Sequence, residues 1–375
     1  MKLYICSNCG NPLYFENSLC LSCKHPVGFD AATLSMVTLE EKEAGEYKAM
    51  TGDRQVYKFC ENAAHDACNW LISPHSPSPF CQACILNDTI PDLSNPDNLF
   101  KWKRIEVAKH RLVYSLFRLQ LPVDPKIDNQ GPGISFDFMA DASTDQRVMT
   151  GHNEGTITLN IEEADEAERV KNKLDMGERY RTLLGHFRHE IGHYYWDLLI
   201  RDNPLTDPFR KLFGDDQKDY QQSLNTYYET GAPANWTDHF ISPYASAHPW
   251  EDWAETWAHY MHLMDTLETA YAFGIVIHPG KTQDMSADIS KDPYAIKDFS
   301  PIIAQWLPLT FAVNSLNRSM GHNDFYPFVI SPPVLEKLRF IHEVAGAGRQ
   351  GKARPPVKTQ PAKTAAKGAG GFAVK

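Results

Sequence analysis

All eight cysteines of this 375-residue chain fall within the first 84 residues, and the 291 that follow contain none. Cys6-x2-Cys9 and Cys20-x2-Cys23 are two knuckles, each a tight turn that aims two thiolates at one ion. Together they supply the four sulfur donors with which zinc closes a tetrahedron. A second set, Cys60, Cys68, Cys81 and Cys84, ends in the same knuckle but opens with a seven-residue gap. Disulfides are the competing use of an even number of thiols. The N-terminal MKLYICSNCG lacks the basic region, apolar stretch and cleavage site of an export leader. A reducing, cytoplasmic setting and two structural zinc ions are therefore expected, one per set. Which cysteines share each ion stays open, because zinc ribbons can also pair distant knuckles. His65 and His75 are alternative donors, although four thiolates already complete a cage and loop histidines are ordinary.

Four segments follow from this reading: zinc-ribbon knuckles over 1–30, a second four-cysteine module over 31–98, a large domain over 99–346 and a basic tail over 347–375. The tail carries seven Lys or Arg, no acid and almost no large apolar side chain, so it is expected to be disordered. Without it the formal charge of -10 becomes -17. An acidic body is a poor partner for nucleic acid, since phosphate contacts need clustered cations. Any partner of the ribbons is therefore expected to be protein. No apolar run is long and uncharged enough to span a bilayer, which predicts a soluble chain with no membrane partner.

The large domain opens with apolar residues at helical spacing, Val107, Leu112, Leu116 and Leu119. ISFDFMA and GTITLNI alternate as strands, the second with Ile157, Leu159 and Ile161 on one face. Residues 162–200 read as helical with an interruption near Gly177, 201–243 as loop-rich, and HPWEDWAETWAHYMHLMDTLETA as another helix. The fold class is α+β: zinc-ribbon modules, then a mainly helical domain with a small mixed sheet.

His189-Glu190-Ile191-Gly192-His193 lies within the central helix. Two histidines four residues apart face the same way, so both rings reach one zinc, with Glu190 beside the open position as general base. Two histidines cannot hold a catalytic zinc alone. The extended HExxHxxGxxH pattern is excluded, because Trp196 and Leu199 occupy its last specified positions. The search for a third ligand moves to Glu251-Asp252-Trp253-Ala254-Glu255, where Glu251 and Glu255 share a helical face. Glu251 is read as the ligand and Glu255 as the acceptor that fixes a ligand histidine's tautomer. A solvated acidic first turn is the plain alternative. His259, further along the same face, is the rival ligand, and His186 is read as a surface or supporting residue. The aromatic residues between 194 and 260 are expected in the core.

HEIGH followed by EDWAE resembles the gluzincin arrangement, and Tyr244 resembles the tyrosine that supports the oxyanion in anthrax-lethal-factor-like members. More closely, the chain is similar to bacterial proteins that join an N-terminal zinc ribbon to a zincin-like metallopeptidase domain. The similarity is carried by the knuckles, FCENAAHDACNWL, ERYRTLLGHFRHEIGHYYWD, HPWEDWAETWAHY and NDFYPFVIS. The resemblance implies a zinc peptidase with one catalytic and two structural ions, acting on a peptide or protein. Its extended substrate is expected to add as a strand beside 155–161. The rival class is a binding scaffold, in which the ribbons recognise protein or nucleic acid and the zinc domain has little turnover.

Overall fold

The computed structural model describes residues 2–43, 45–52, 55–126, 133–141, 148–166, 169, 182–282 and 285–348. The break near Gly177 and the tail from residue 349 on lie outside these residues, while Ala347 and Gly348, placed in the disordered tail by the sequence, close the last helix. At the N-terminus, β1 (Tyr4–Ile5) and β2 (Pro12–Leu13) form a short hairpin around the first knuckle. A five-stranded antiparallel sheet follows, ordered β3 (Val27–Asp30), β4 (Ser35–Glu43), β5 (Glu46–Ala49), β6 (Val56–Phe59) and β7 (Leu71–Ile72). The boundary expected at residue 30 thus falls between two hydrogen-bonded strands, Asp30 pairing with Ser35. The two cysteine sets share one core, in which Phe15 stands edge-on to Phe29 and Trp70, and Phe29 lies tilted against Trp70. The Asn69 amide donates to the carbonyls of Phe15 and Asn17 and locks the two loops together.

Helix α1 (Pro96–Arg118) begins at Asn95, whose side chain accepts from the Asp97 N–H, with Pro96 at the first helical position. It is the brace between the ribbon region and the rest. Tyr114 enters the aromatic cluster of Phe15 and Phe29, while Trp102, Ile105 and Leu112 are fully buried. A four-stranded mixed sheet runs β10 (Gly151–Asn153), β11 (Thr156–Asn160), β9 (Ser135–Met139) and β8 (Asn87–Thr89). The expected strand face is present, with Ile157 and Leu159 wholly buried. The expected substrate pairing is not available there. β11 is antiparallel to β10 and parallel to β9, so both its edges are taken. Among the described strands the free edge on that side belongs to β10.

Helix α2 (Leu183–Leu199) carries HEIGH and starts where the Thr182 hydroxyl accepts from the Gly185 N–H at 2.9 Å. The segment read as loop-rich contains two helices, α3 (Thr206–Phe213) and α4 (Tyr220–Thr230). α4 escapes apolar periodicity because none of its residues is buried. It is set by the Asp219 carboxylate accepting from the Gln222 N–H and by Gly231 at φ 74° just past its end. Helix α5 (Pro249–Ala272) packs along α2, followed by α6 (Phe299–Ser319) and α7 (Pro332–Gly348). Zinc ribbons followed by a helical domain with small sheets make the chain α+β. No described helix is long and apolar enough to cross a membrane.

Candidate functional site

The crossing of α2 and α5 creates the main constellation. Gly192 removes the side chain at the contact, Trp253 and Trp257 fill the space beside it, and the Trp253 indole N–H donates to the Gly192 carbonyl at 2.9 Å. That close approach carries the first turn of α5 to the histidines. His248 caps α5 by accepting from the Trp250 N–H, and Pro249 opens the helix, so Glu251 lies where the helix dipole favours a carboxylate.

His189 Nε2 is 3.2 Å from His193 Nε2 and 3.0 Å from Glu251 Oε2, which is 3.5 Å from His193 Nε2. With the ring protons on Nδ1, both Nε2 atoms and the carboxylate oxygen present lone pairs to one another, an arrangement that a cation among them would satisfy. Tetrahedral donors about 2.0–2.1 Å from zinc are separated by roughly 3.3 Å, the spacing found here. His189 Nδ1 sits 2.7 Å from Glu255 Oε1, which fixes the tautomer that turns Nε2 toward the cluster. Burial would raise the Glu251 carboxyl, but His193 and His189 hold it well below the usual carboxylate range. Glu255 is likewise lowered against its burial, chiefly by His189. Glu190 is half-buried beside the donors, and its carboxyl lies above its ordinary value because burial outweighs the two histidines.

Tyr244 opens a short 3-10 turn ahead of α5, its ring 6.1 Å from that of His189, and burial raises its phenol. His259 is not in the cluster: its Nδ1 is 2.8 Å from the Tyr326 hydroxyl, and burial lowers it to about 4. His186 lies 3.8 Å from Glu163. Tyr194, Tyr195, Trp196, Trp253, Trp257 and Tyr260 are buried as expected, but Tyr220 and Tyr228 are exposed, and half-buried Trp250 covers His193 with ring centroids 3.8 Å apart. Its place next to Glu251 in HPWEDWAE could have marked it. Tyr220 was also missed. Its hydroxyl donates to Glu251 Oε1 at 2.6 Å, but it stands 31 residues earlier on a polar helix, and no pattern links the two.

Each cysteine set brings four sulfurs within 4.8 Å of one another, Cys6, Cys9, Cys20 and Cys23 in one and Cys60, Cys68, Cys81 and Cys84 in the other. Cys6–Cys23 is 3.6 Å, Cys9–Cys20 3.7 Å and Cys68–Cys81 3.7 Å. These lengths far exceed a disulfide bond of about 2.05 Å. They match the roughly 3.7 Å between corners of a tetrahedron with 2.3 Å zinc–sulfur bonds. Donors from the Asn8 side chain and from His25 lower the Cys23 thiol to about 5. His65 and His75 are exposed, His65 resting on Trp102. The histidine at the second set is instead His110 of α1, with Nε2 3.2 Å from Cys68 Sγ and 3.6 Å from Cys84 Sγ. Its 42-residue separation from Cys68 hid it.

Comparison with known proteins agrees with this chemistry. Residues 3–95 match a zinc-ribbon domain, and residues 98–344 match the family described as "Putative zinc-binding metallo-peptidase". Uncharacterized proteins of Mycobacterium bovis and Mycobacterium tuberculosis are 40% identical over 345 residues, which span 92% of this chain and 95% of theirs. No solved structure matches the chain. With most of its length inside one family model and a zinc-ribbon domain ahead of it, the chain belongs to the family described as "Putative zinc-binding metallo-peptidase".

Proposed function

We propose that the protein is a gluzincin-like zinc peptidase, with His189, His193 and Glu251 as ligands of a catalytic ion and one structural zinc in each cysteine set. The observation that carries this reading is the convergence of two imidazole nitrogens and a carboxylate oxygen within 3.5 Å at the crossing of α2 and α5. When bound, zinc supplies an acidified water and a polarising charge for the scissile carbonyl. Glu190 receives a proton on its carboxylate and returns it to the departing amine. The Tyr244 hydroxyl donates a hydrogen bond where the carbonyl oxygen gains charge. Glu255 holds the His189 ring in place through Nδ1.

An extended peptide would pair with the free edge of β10, where His152 lies with its ring 6.2 Å from His193. Main-chain pairing there tolerates many sequences. The ribbon region, joined to the peptidase domain by α1, would dock a protein partner, and thiolates held on zinc rather than in disulfides suit the reducing cytoplasm. The test is terminal-fragment proteomics on cells carrying wild type or Glu190→Ala, with purified protein assayed on a peptide library with and without chelator. Glu190→Ala should keep its zinc and lose roughly 10²–10⁴-fold in cleavage. Wild-type cleavage by that variant would refute the catalytic assignment.

A further inference from the structure

We propose that Tyr220 is a positioning residue for Glu251, and that α4 is thereby part of the metal centre. The inference rests on the reading of His189, His193 and Glu251 as ligands. The two oxygens of Glu251 have different surroundings. Oε2 faces the histidine nitrogens at 3.0 and 3.5 Å, while Oε1 accepts from the Tyr220 hydroxyl at 2.6 Å. A hydrogen bond this short to a carboxylate is charge-assisted. Glu251 is only 1% exposed, so without Tyr220 its Oε1 would be a buried acceptor drawn toward the nearest cation. Tyr220 therefore restricts Glu251 to one metal-facing oxygen.

Core packing does not explain this contact. Nothing on α4 is buried, and the helix rests on the protein through the stripe Tyr220, Ser223, Leu224 and Tyr227, of which the last three are half-buried. That stripe lies over the site. The Tyr220 ring stands edge-on to His248 at 5.3 Å and Trp250 at 5.5 Å, and Tyr227 stands edge-on to Tyr244 at 5.7 Å. Trp250 in turn covers His193. One face of a surface helix thus touches a neighbour of every proposed ligand, and its only hydroxyl on Glu251 is that of Tyr220.

The experiment uses the full chain with its cysteine sites kept zinc-filled, comparing wild type, Tyr220→Phe, Leu224→Ala and Glu251→Ala. Zinc affinity of the remaining site is measured by chelator competition, and cobalt is added there to read coordination from its visible spectrum. Tyr220→Phe keeps the ring and removes the hydroxyl. It should weaken zinc roughly tenfold and shift the cobalt spectrum toward higher coordination as the carboxylate binds through both oxygens. Leu224→Ala, which trims a half-buried side chain of the same stripe and leaves the hydroxyl on Glu251, should match wild type. The inference is overturned if Tyr220→Phe leaves affinity within about twofold and the spectrum unchanged, or if Leu224→Ala reproduces its effect. Glu251→Ala separates the two levels: metal retained in that variant refutes the ligand reading itself, whereas metal lost there with no effect of Tyr220→Phe refutes this inference alone.

Discussion

Gly192→Ala tests whether the spacing of two helices sets the metal centre. A methyl at this position would lie 3.1 Å from Ala254 Cα, 3.2 Å from Trp257 Cβ and 3.3 Å from Trp257 Cδ1. Relaxed carbon contacts are about 3.5–4.0 Å, so α2 must withdraw from α5 by roughly 0.4 Å. Neither neighbour yields easily. Ala254 meets the methyl with backbone, and Trp257 is fully buried with its ring on Tyr195 at 5.1 Å. Removing a helical glycine gains about 1 kcal/mol in propensity, against about 1–3 kcal/mol for overpacking. The metal-free protein should therefore lose between about 0 and 2 kcal/mol and remain folded. The proposed metal centre has less latitude, because its candidate donors lie on both helices and ligand distances tolerate about 0.2 Å. Zinc affinity should fall at least tenfold, or about 1.4 kcal/mol. Chelator competition measures the affinity, and thermal unfolding with and without chelator measures the fold. Wild-type affinity together with a gain of about 1 kcal/mol in metal-free stability would refute the reasoning, since the crossing would then have room for a side chain.

Two further outcomes follow from the site. Elemental analysis should find about three zinc ions per chain, one of which leaves first under chelation because its site retains an open position; a single ion would reject the two cysteine cages. Glu255→Ala should weaken the catalytic ion roughly 10 to 100-fold by releasing the His189 ring, whereas His259→Ala should change affinity little because His259 is engaged by Tyr326. The reverse ranking, read by the same competition titration, would transfer the supporting role to His259.

What could be read from the sequence was whatever repeats at a fixed local spacing. The knuckles, the i, i+4 histidines and the shared face of Glu251 and Glu255 are each properties of one turn or one helix, and the structure brings those residues together. Chain topology was not readable in the same way. GTITLNI has the alternation of a half-buried strand whether it lies at an edge or inside a sheet. Only the parallel pairing with residues 135–139 shows that it is internal. α4 escaped notice because its polar sequence has no apolar stripe to bury, so the contact between Tyr220 and Glu251 had no local trace.

The same limit hid the coupling between the two halves of the chain, which runs through α1. On one face of α1, His110 reaches the second cysteine set, and its Nδ1–H donates to the Glu106 carbonyl at 2.6 Å. Beside it Lys109 and Glu106, both fully buried, pair at 2.9 Å, and Lys109 also donates to Asn87. Removing one member of such a pair leaves an uncompensated buried charge, typically a loss of about 3–5 kcal/mol. Toward α5, Tyr114 donates to Glu268 at 2.9 Å, Ser115 to Asp265 at 2.8 Å, and Arg118 pairs with Glu268 at 2.5 Å. Arg188 of α2 also donates to Asp265. α1 therefore ties the second cysteine set to both helices that carry the proposed catalytic ligands, and the register of α2 against α5 is braced from the ribbon side. A ribbon appended only for recognition would need no buried polar contacts with α1, yet His110 reaches Cys68 and Cys84 and Lys109 donates to Asn87. These contacts make the second cysteine set part of the peptidase domain's own scaffold, whatever the ribbon binds on its outer face.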